Sequence, residues 1–239
     1  MNMTPEQILK LLRIQKTIPQ DPVSWPVEWT TIAYKDYEQA SEIKVDTYQL
    51  TSLKETPSDI ISLIARRASG YDFKNPLTAE EIFLVLSSAS REKNKETKQR
   101  MYPSGGALYP LEIYFVQQEN GHLSKGVYHF SQVNNELTRI KTFSEESEDI
   151  FEEGHSYYGM TSYLAITYLP ERNNNKYGYQ GISLAYVEAG TLLQNISLLA
   201  TALSIQTRIL AGFSDTRVRE RLDLGKNEEF PLLLVAISK

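Results

Sequence analysis

Two adjacent glycines ahead of a strand give this sequence its first candidate site, in the stretch RMYPSGGALYPLEIYFV at 100–116. Glycine can adopt positive φ and lets another group approach the backbone closely, while the prolines on either side fix the chain. The hydroxyl and exposed amides of such a loop could donate to the polar edge of a planar ring. A tight turn leading into a strand would use the same residues. The candidate donors to such a ring are Ser104, Gly105 and Gly106, and Pro103 fixes the chain ahead of them.

A pair of arginines, Arg66 and Arg67, is the second candidate, in the stretch RRASGYDF. A guanidinium binds phosphate through two parallel hydrogen bonds, and Ser69 would add a further donor. Arginines at the end of a helix also interact favourably with the helix dipole without any ligand. The pair by itself therefore leaves a phosphate site and a purely structural role open.

Lys176 and Tyr177 form the third candidate, in the polar stretch ERNNNKYGYQG, which we predict to be a loop. A free lysine and a free tyrosine both titrate at about pH 10. An ammonium beside a phenol favours the phenolate, and burial disfavours the ammonium, so the two in a dry pocket could remove a proton from a substrate. These residues by themselves favour two solvated loop side chains over a catalytic pair.

The composition excludes several classes of protein. With 239 residues, of which 41% are hydrophobic, the chain is long enough to bury a large core. Its 25 basic and 30 acidic residues give a net charge of -5, with no basic patch of the kind that binds nucleic acid. The absence of cysteine excludes disulfides, thiolate catalysis and cysteine-bound zinc or iron–sulfur clusters.

We expect neither a metal site nor a membrane span. The three histidines, His122, His129 and His155, are not spaced as metal ligands. No apolar stretch approaches the roughly 18 residues that span a bilayer, and the N-terminal residues lack the apolar run of a signal peptide. We therefore expect a cytoplasmic protein.

The hydrophobic pattern predicts an α+β architecture in which helices pack against a mostly antiparallel sheet. An amphipathic helix at 3–16 and an extended aromatic arm form an N-terminal segment, 1–55, ahead of a core domain at 56–239. The expected helices are in SDIISLIARRAS, in LTAEEIFLVLSSAS with a capping box of Thr78 and Glu81, at 182–204 as a deeply buried central helix, and in SDTRVRERLDL, capped by Ser214 or Asp215. The expected strands are LEIYFVQ, GVYHF, ELTRI, YLAITYLP, IQTRIL and FPLLLVAIS, with an acidic, weakly helical piece at 145–153.

Several of these motifs occur together, in the same order, in one protein family. RRAS at a helix end, PLTAEEI, YPSGGALYPLEIYFV and KGVYHF closely resemble the SagB-type dehydrogenases, the FMN-dependent azoline oxidases of the nitroreductase superfamily. NKYGYQGISLAYVEAGTLLQNISLLATAL is similar to that family's lysine–tyrosine motif and central helix, and the resemblance runs from about residue 25 to the end. One position departs from the pattern, since Gly70 stands where the superfamily often has another basic residue.

The resemblance implies a nitroreductase-like fold, in which helices and a mostly antiparallel sheet surround a long buried central helix, and an interlocked homodimer that binds FMN at its interface. By position, the FMN phosphate and ribityl chain would be held by Arg66, Arg67 and Ser69 of one subunit. The isoalloxazine ring would be approached by Pro103, Ser104, Gly105 and Gly106 of the other subunit and, at its edge, by Ala211 and Gly212.

The resemblance also implies a reaction. A thiazoline or oxazoline ring in a peptide would be dehydrogenated to a thiazole or oxazole, with Lys176 and Tyr177 together removing a proton, FMN accepting a hydride and oxygen as final acceptor. A cyclodehydratase would act on the same peptide. Two alternatives stay open: a flavin reductase that uses NAD(P)H, and a flavin-free scaffold subunit of a biosynthetic complex. The intact PSGGALYP and KYG motifs favour the oxidase.

Overall fold

A computed structural model describes the backbone of residues 47–48 and the chain at 60–143, 149–151, 157–224 and 229–239. The helix predicted at 3–16, most of the aromatic arm and most of the acidic piece at 145–153 lie outside the described residues. The prediction of a separate N-terminal segment at 1–55 therefore stays a prediction.

Runs of strands and runs of helices follow one another along the chain, as expected of an α+β protein. The strands are β1 (Thr47–Tyr48), β2 (Glu92–Asn94), β3 (Gln99–Arg100), β4 (Leu111–Gln117), β5 (Gly126–Ser131), β6 (Glu136–Thr142), β7 (Ser162–Tyr168), β8 (Gln206–Leu210) and β9 (Phe230–Ser238). The helices are α1 (Ile60–Arg66), α2 (Ala79–Ser90), α3 (Asn174–Tyr177), α4 (Gln180–Ala202) and α5 (Asp215–Leu222), with 3-10 turns at Gly105–Ala107 and Pro170–Arg172. All six strands predicted from the sequence are present.

The main sheet has seven strands in the order β1-β6-β5-β4-β7-β9-β8, and every neighbouring pair is antiparallel. The central strands β4 and β7 are buried along their whole length, as expected for strands that are apolar on both faces. One face packs against α2 and α4, and the other against α5 and the segments around it. The predicted antiparallel sheet is confirmed.

The long helix α4 is the centre of the larger core. Its buried residues include the predicted apolar positions 182, 185, 189, 192, 196 and 200, at the three- and four-residue spacing of one helix face. The helix begins at Gln180, two residues before the predicted start, and ends at Ala202, so that Leu203 follows it as a half-buried cap residue. The central helix is confirmed.

Two helix starts are fixed by side chains that the sequence identified. At α2 the amide of Glu81 donates to Thr78 Oγ1 at 3.1 Å, and the amide of Thr78 donates to Glu81 Oε2 at 2.9 Å, which completes the predicted capping box. At α5 the cap is Ser214, whose hydroxyl accepts from the amide of Arg217 at 3.4 Å. Of the two predicted caps, Ser214 is therefore the one used.

Two local predictions were wrong or incomplete. The stretch ERNNNKYGYQG, predicted as a loop, holds the end of the 3-10 turn at Pro170–Arg172, the one-turn helix α3 and the first two residues of α4. The hairpin of β2 and β3 was not predicted, because REKNKETKQR is polar throughout and has no alternation of apolar residues. In both places local hydrogen bonds, rather than burial of an apolar face, organise the backbone. No helix among the described residues is long and apolar enough to cross a membrane.

Replacement of Thr78 by alanine should lower the free energy of unfolding by about 1 kcal/mol, because the first turn of α2 loses its capping hydrogen bond. Thr97 is an exposed threonine in the β2–β3 turn, and Thr97→Ala serves as the control with little expected effect. Denaturant unfolding of the three proteins measures both differences. Equal stability of Thr78→Ala and wild type would contradict the capping role.

Candidate functional site

The loop at 103–110, which we call the glycine loop, has an unusual backbone. Gly106 has a φ of +65°, as the glycine-rich sequence predicted, and the non-glycine residues Ala107 and Tyr109 also have positive φ, at 56° and 47°. Such conformations cost energy for residues with a Cβ and are concentrated at functional sites. The loop is therefore more than an ordinary tight turn.

Contacts of Tyr109 hold this backbone in place. Its amide donates to Ser104 Oγ at 2.8 Å, its hydroxyl accepts from the amide of Arg100 at 2.9 Å, and its carbonyl accepts from Arg172 Nη1 at 3.0 Å. The Arg100 guanidinium also lies over the Tyr109 ring, 4.6 Å from its centroid. These contacts compensate the strain of a positive φ at a bulky residue.

The glycines themselves remain open to a ligand. Gly106 is exposed and Gly105 half-buried, and among the described residues none accepts a hydrogen bond from the amide of either glycine. Two adjacent backbone donors therefore point away from the fold's own hydrogen-bond network. This is the arrangement expected of a loop that donates to a polar ligand edge.

Lys176 and Tyr177 lie directly against this loop in the same chain. A methyl group built on Gly106 would lie 2.7 Å from Tyr177 Oη and 2.8 Å from Lys176 Nζ. The Lys176 ammonium is 5.2 Å from the centroid of the Tyr177 ring, and both side chains are half-buried. The structure thus brings two separately predicted motifs, about seventy residues apart, into one site.

A cluster of polar contacts positions α3, which carries this pair. The Tyr168 hydroxyl, at the end of β7, lies 2.7 Å from Asn173 Oδ1 and 2.7 Å from Asn174 Oδ1. Asn173 Nδ2 donates to the carbonyl of Gly181 in α4 at 2.9 Å. A Cβ at position 181 would lie within 2.9 Å of both asparagine side chains, so glycine permits this close approach. The sheet and the central helix therefore fix α3 from two sides.

A buried ion pair underlies the loop and α3 together. Arg172 Nη2 lies 2.5 Å from Glu112 Oε1, and the other carboxylate oxygen lies 2.6 Å from His129 Nε2. Burial by itself would raise the pKa of Glu112, but Arg172 and His129 lower that pKa to about 2. Glu112 is thus ionised and paired. No group of side chains that could hold a metal ion occurs among the described residues.

Glu188 of α4 is a buried acid that the sequence analysis did not single out. It is only 4% exposed, and burial raises the pKa of its carboxyl to about 7, partly offset by the nearby Ser104 hydroxyl, Arg100 and Arg172. An acidic residue on the buried face of a predicted helix was a usable signal. Arg172 and Tyr109 gave no comparable signal, because an arginine in a polar stretch and a tyrosine before a proline are commonplace.

The predicted phosphate ligands lie elsewhere, along β8. Arg66 and Arg67 are exposed at the end of α1, and neither guanidinium bonds to a described residue. Ser69 forms a parallel bridge with Thr207 of β8, and the exposed loop of Ala211 and Gly212 follows the other end of that strand. The arginine pair and this loop therefore flank one strand, whereas the glycine loop precedes β4.

The local packing explains why Gly70 stands where the superfamily often has a basic residue. A Cβ at this position would lie 2.8 Å from both Cβ and Oε1 of Gln206. The Gly70 amide donates to the carbonyl of Thr207 at 2.9 Å, and its carbonyl accepts from Arg208 Nη1 at 3.3 Å. The backbone is bound so closely to β8 that a basic side chain at position 70 does not fit.

Gly106→Ala should displace the ends of Lys176 and Tyr177 and destabilise the fold by about 1 kcal/mol, because the methyl overlaps both polar atoms and alanine rarely adopts this φ. Gly105→Ala is the matched control, since its methyl would meet only Leu184 at 3.5 Å and a Tyr177 ring carbon at 3.9 Å. Crystal structures and unfolding curves of both variants check this. Unmoved side chains in Gly106→Ala would refute the contact.

Comparison with known proteins identifies the family. Residues 64–239 match the Nitroreductase family. The chain is 30% identical over 178 residues to the microcin B17-processing protein McbC of Escherichia coli. This alignment covers 71% of this chain but only 65% of McbC. It is also 29% identical over 198 residues to a Methanocaldococcus jannaschii protein named as a nitroreductase, and this alignment covers 80% of this chain and 95% of that protein.

A solved structure agrees with the fold. A chain of the E. coli microcin synthetase McbBCD complex with truncated pro-MccB17 bound matches with a TM-score of 0.66 and 24% identity, over 99% of this chain and 94% of that chain. The resemblance to SagB-type azoline oxidases and the nitroreductase-like fold are confirmed. Since the family match extends from α1 to the last residue, the chain belongs to the nitroreductase family.

Proposed function

We propose that this protein is an FMN-dependent oxidoreductase that dehydrogenates thiazoline or oxazoline rings in a peptide to thiazoles or oxazoles. The observation that carries the proposal is the contact of Lys176 and Tyr177 with Gly106. A proton-removing pair and a loop with open backbone donors lie side by side, which is what this dehydrogenation needs. Microcin B17 processing by the relative McbC supports the substrate class.

The described residues fit FMN at both of its ends. The exposed guanidinium groups of Arg66 and Arg67, which bond to no described residue, suit a phosphate, and the open amides of Gly105 and Gly106 suit the polar edge of a flat ring. Ser69 bridges to Thr207 of β8, Ala211 and Gly212 follow the end of that strand, and Pro103 and Ser104 begin the glycine loop, so we propose that these residues complete the FMN site. Members of the nitroreductase family typically bind flavin.

In the proposed mechanism the chain's residues orient the ring and move one proton. Bound FMN supplies the hydride acceptor. Lys176 and Tyr177 together remove the proton from the substrate ring, and we assign it to neither alone. We further propose that a cyclodehydratase prepares the azoline in the same peptide, consistent with the McbBCD complex.

A second candidate function is reduction of small molecules with NAD(P)H. It is favoured by the M. jannaschii relative, which is named as a nitroreductase and is covered over 95% of its length. Addition of NAD(P)H under exclusion of oxygen distinguishes the two functions. A reductase would lose its flavin colour at once, whereas the azoline oxidase should bleach only with an azoline peptide.

The purified protein should contain one non-covalent FMN per chain, and Arg66→Ala/Arg67→Ala should weaken FMN binding at least a hundredfold. Two charge-assisted phosphate contacts of roughly 1.5 to 3 kcal/mol each are then lost. Lys93→Ala/Lys95→Ala removes two exposed charges from the β2–β3 hairpin and should not change affinity. Flavin fluorescence titration measures this, and failure of the wild type to take up FMN would defeat the proposal.

We also expect the flavin-loaded protein to be a homodimer, with the arginine pair of one chain and the glycine loop of the other on the same FMN. Exposed apolar side chains on α1 and α4, with Ile60 at 56%, Ile64 at 55% and Val187 at 67% exposure, fit a surface covered by a second copy. Light scattering gives the mass directly. A monomeric mass with FMN bound would contradict this arrangement.

Lys176→Ala and Tyr177→Phe should each lower turnover by about a hundredfold to ten-thousandfold, the usual contribution of a general base, while FMN binding is kept. Because the two act together, the double variant should be little slower than the slower single variant. Asn175→Ala changes an exposed residue of the same helix and is the control. Mass spectrometry counts the loss of two hydrogens from an azoline peptide, and wild-type rates in both single variants would show the assignment to be wrong.

A further inference from the structure

Glu188 lies beneath the glycine loop and has no evident structural purpose. Its side chain is on the buried face of α4, and its Oε1 atom has no hydrogen-bond partner among the described residues. A buried carboxyl without full hydrogen bonding destabilises a fold. The residue therefore costs stability at the very place where the loop is open to a ligand.

The groups around Glu188 form a nearly balanced set of charges. Arg100 and Arg172 attract its charged form, and the Ser104 hydroxyl stabilises it. Beyond Arg172 lies the ionised Glu112, which also contacts His129. The charge of Glu188 also acts on Tyr102 and Tyr168, and burial raises the pKa of both hydroxyls.

The protonation of Glu188 decides the net charge of this cluster. The charges of Arg100, Arg172, Glu112 and an ionised Glu188 sum to zero, and protonation of Glu188 makes the charge of these four groups more positive by one. Because the pKa of Glu188 is raised to about 7, either form is accessible near neutral pH. A change of charge on the loop's ligand therefore suffices to shift the proton.

We propose that Glu188 takes up a proton when the ring bound on the glycine loop becomes negatively charged, and releases it when the ring becomes neutral again. This inference rests on the proposed FMN. A hydride from the substrate carbon would leave the ring an anion, and one solvent proton would neutralise Glu188. On reoxidation, dioxygen would take the hydride and one proton to give hydrogen peroxide, while Glu188 would release its proton, so that the initial charges return.

The midpoint potential of bound FMN tests this, measured between roughly pH 5 and pH 9, on both sides of the pKa of Glu188. Wild type and Glu188→Gln should have equal potentials at low pH, where both side chains are neutral. At high pH the variant should be easier to reduce by a tenfold or larger ratio, about 30 mV for a two-electron couple. Glu171→Gln, which removes an exposed glutamate near Arg172, should follow the wild type.

A purely structural role of Glu188 predicts something different. It would shift the potential by the same amount at every pH, so parallel curves overturn the proposal. Reduced-minus-oxidised infrared spectra give a second measurement on the wild type alone. A carbonyl band of a protonated carboxylic acid should appear on reduction, and it should be absent in Glu188→Gln if that variant folds. No band in the wild type also overturns the proposal.

The stability of the flavin-free protein tests the buried state of Glu188 without FMN. The pKa of Glu188 is higher in the fold than its ordinary value of 4.5, so its contribution to stability is present below that value and is lost as the pH rises towards 7. Glu188→Gln should therefore gain stability over the wild type as the pH rises.

If the protein binds no FMN, the proposed function fails. If it binds FMN but the potentials run parallel, only the role of Glu188 fails.

Discussion

The geometry of the site depends on one buried cation, Arg172. Its guanidinium donates to the carbonyl of Tyr109 and pairs with Glu112 of β4, while its own backbone leads into α3. A buried charge is tolerated only when it is paired and hydrogen-bonded. Arg172 therefore connects the glycine loop, the central sheet and the helix that carries Lys176 and Tyr177 to one another, and the contacts of Asn173 and Asn174 add to this.

The strained backbone of the glycine loop is also held by buried side chains. The positive φ at Ala107 and Tyr109 turns the loop so that Gly106 faces the ends of Lys176 and Tyr177. The strain persists because Tyr109 is held by Ser104, Arg100 and Arg172 at once. A rigid loop of this kind would hold the backbone donors and the pair proposed to remove the proton in position before any ligand binds.

The part of the candidate site on β8 differs from the glycine loop because its charged groups are exposed. Arg66 and Arg67 end a short helix with one buried residue, Leu63, and their charged groups remain in water. Backbone bonds of Ser69 and Gly70 to Thr207 place this segment beside β8. Exposed charges suit capture of a phosphate, whereas the buried cluster near Glu188 suits control of charge at a ring.

The sequence by itself determined the elements whose burial follows a period: the antiparallel strands, the central helix and the Thr78 cap all follow from local patterns of side chains. It also supplied the candidate residues of the site, since glycine pairs, arginine pairs and a lysine beside a tyrosine are visible in one dimension. Only the tertiary structure decided that Lys176 and Tyr177 meet Gly106, and that Arg172 and Glu188 are buried beneath the loop. These facts join residues about sixty to eighty positions apart, and no local pattern encodes them, because the burial of a charge depends on the partners that the fold brings to it.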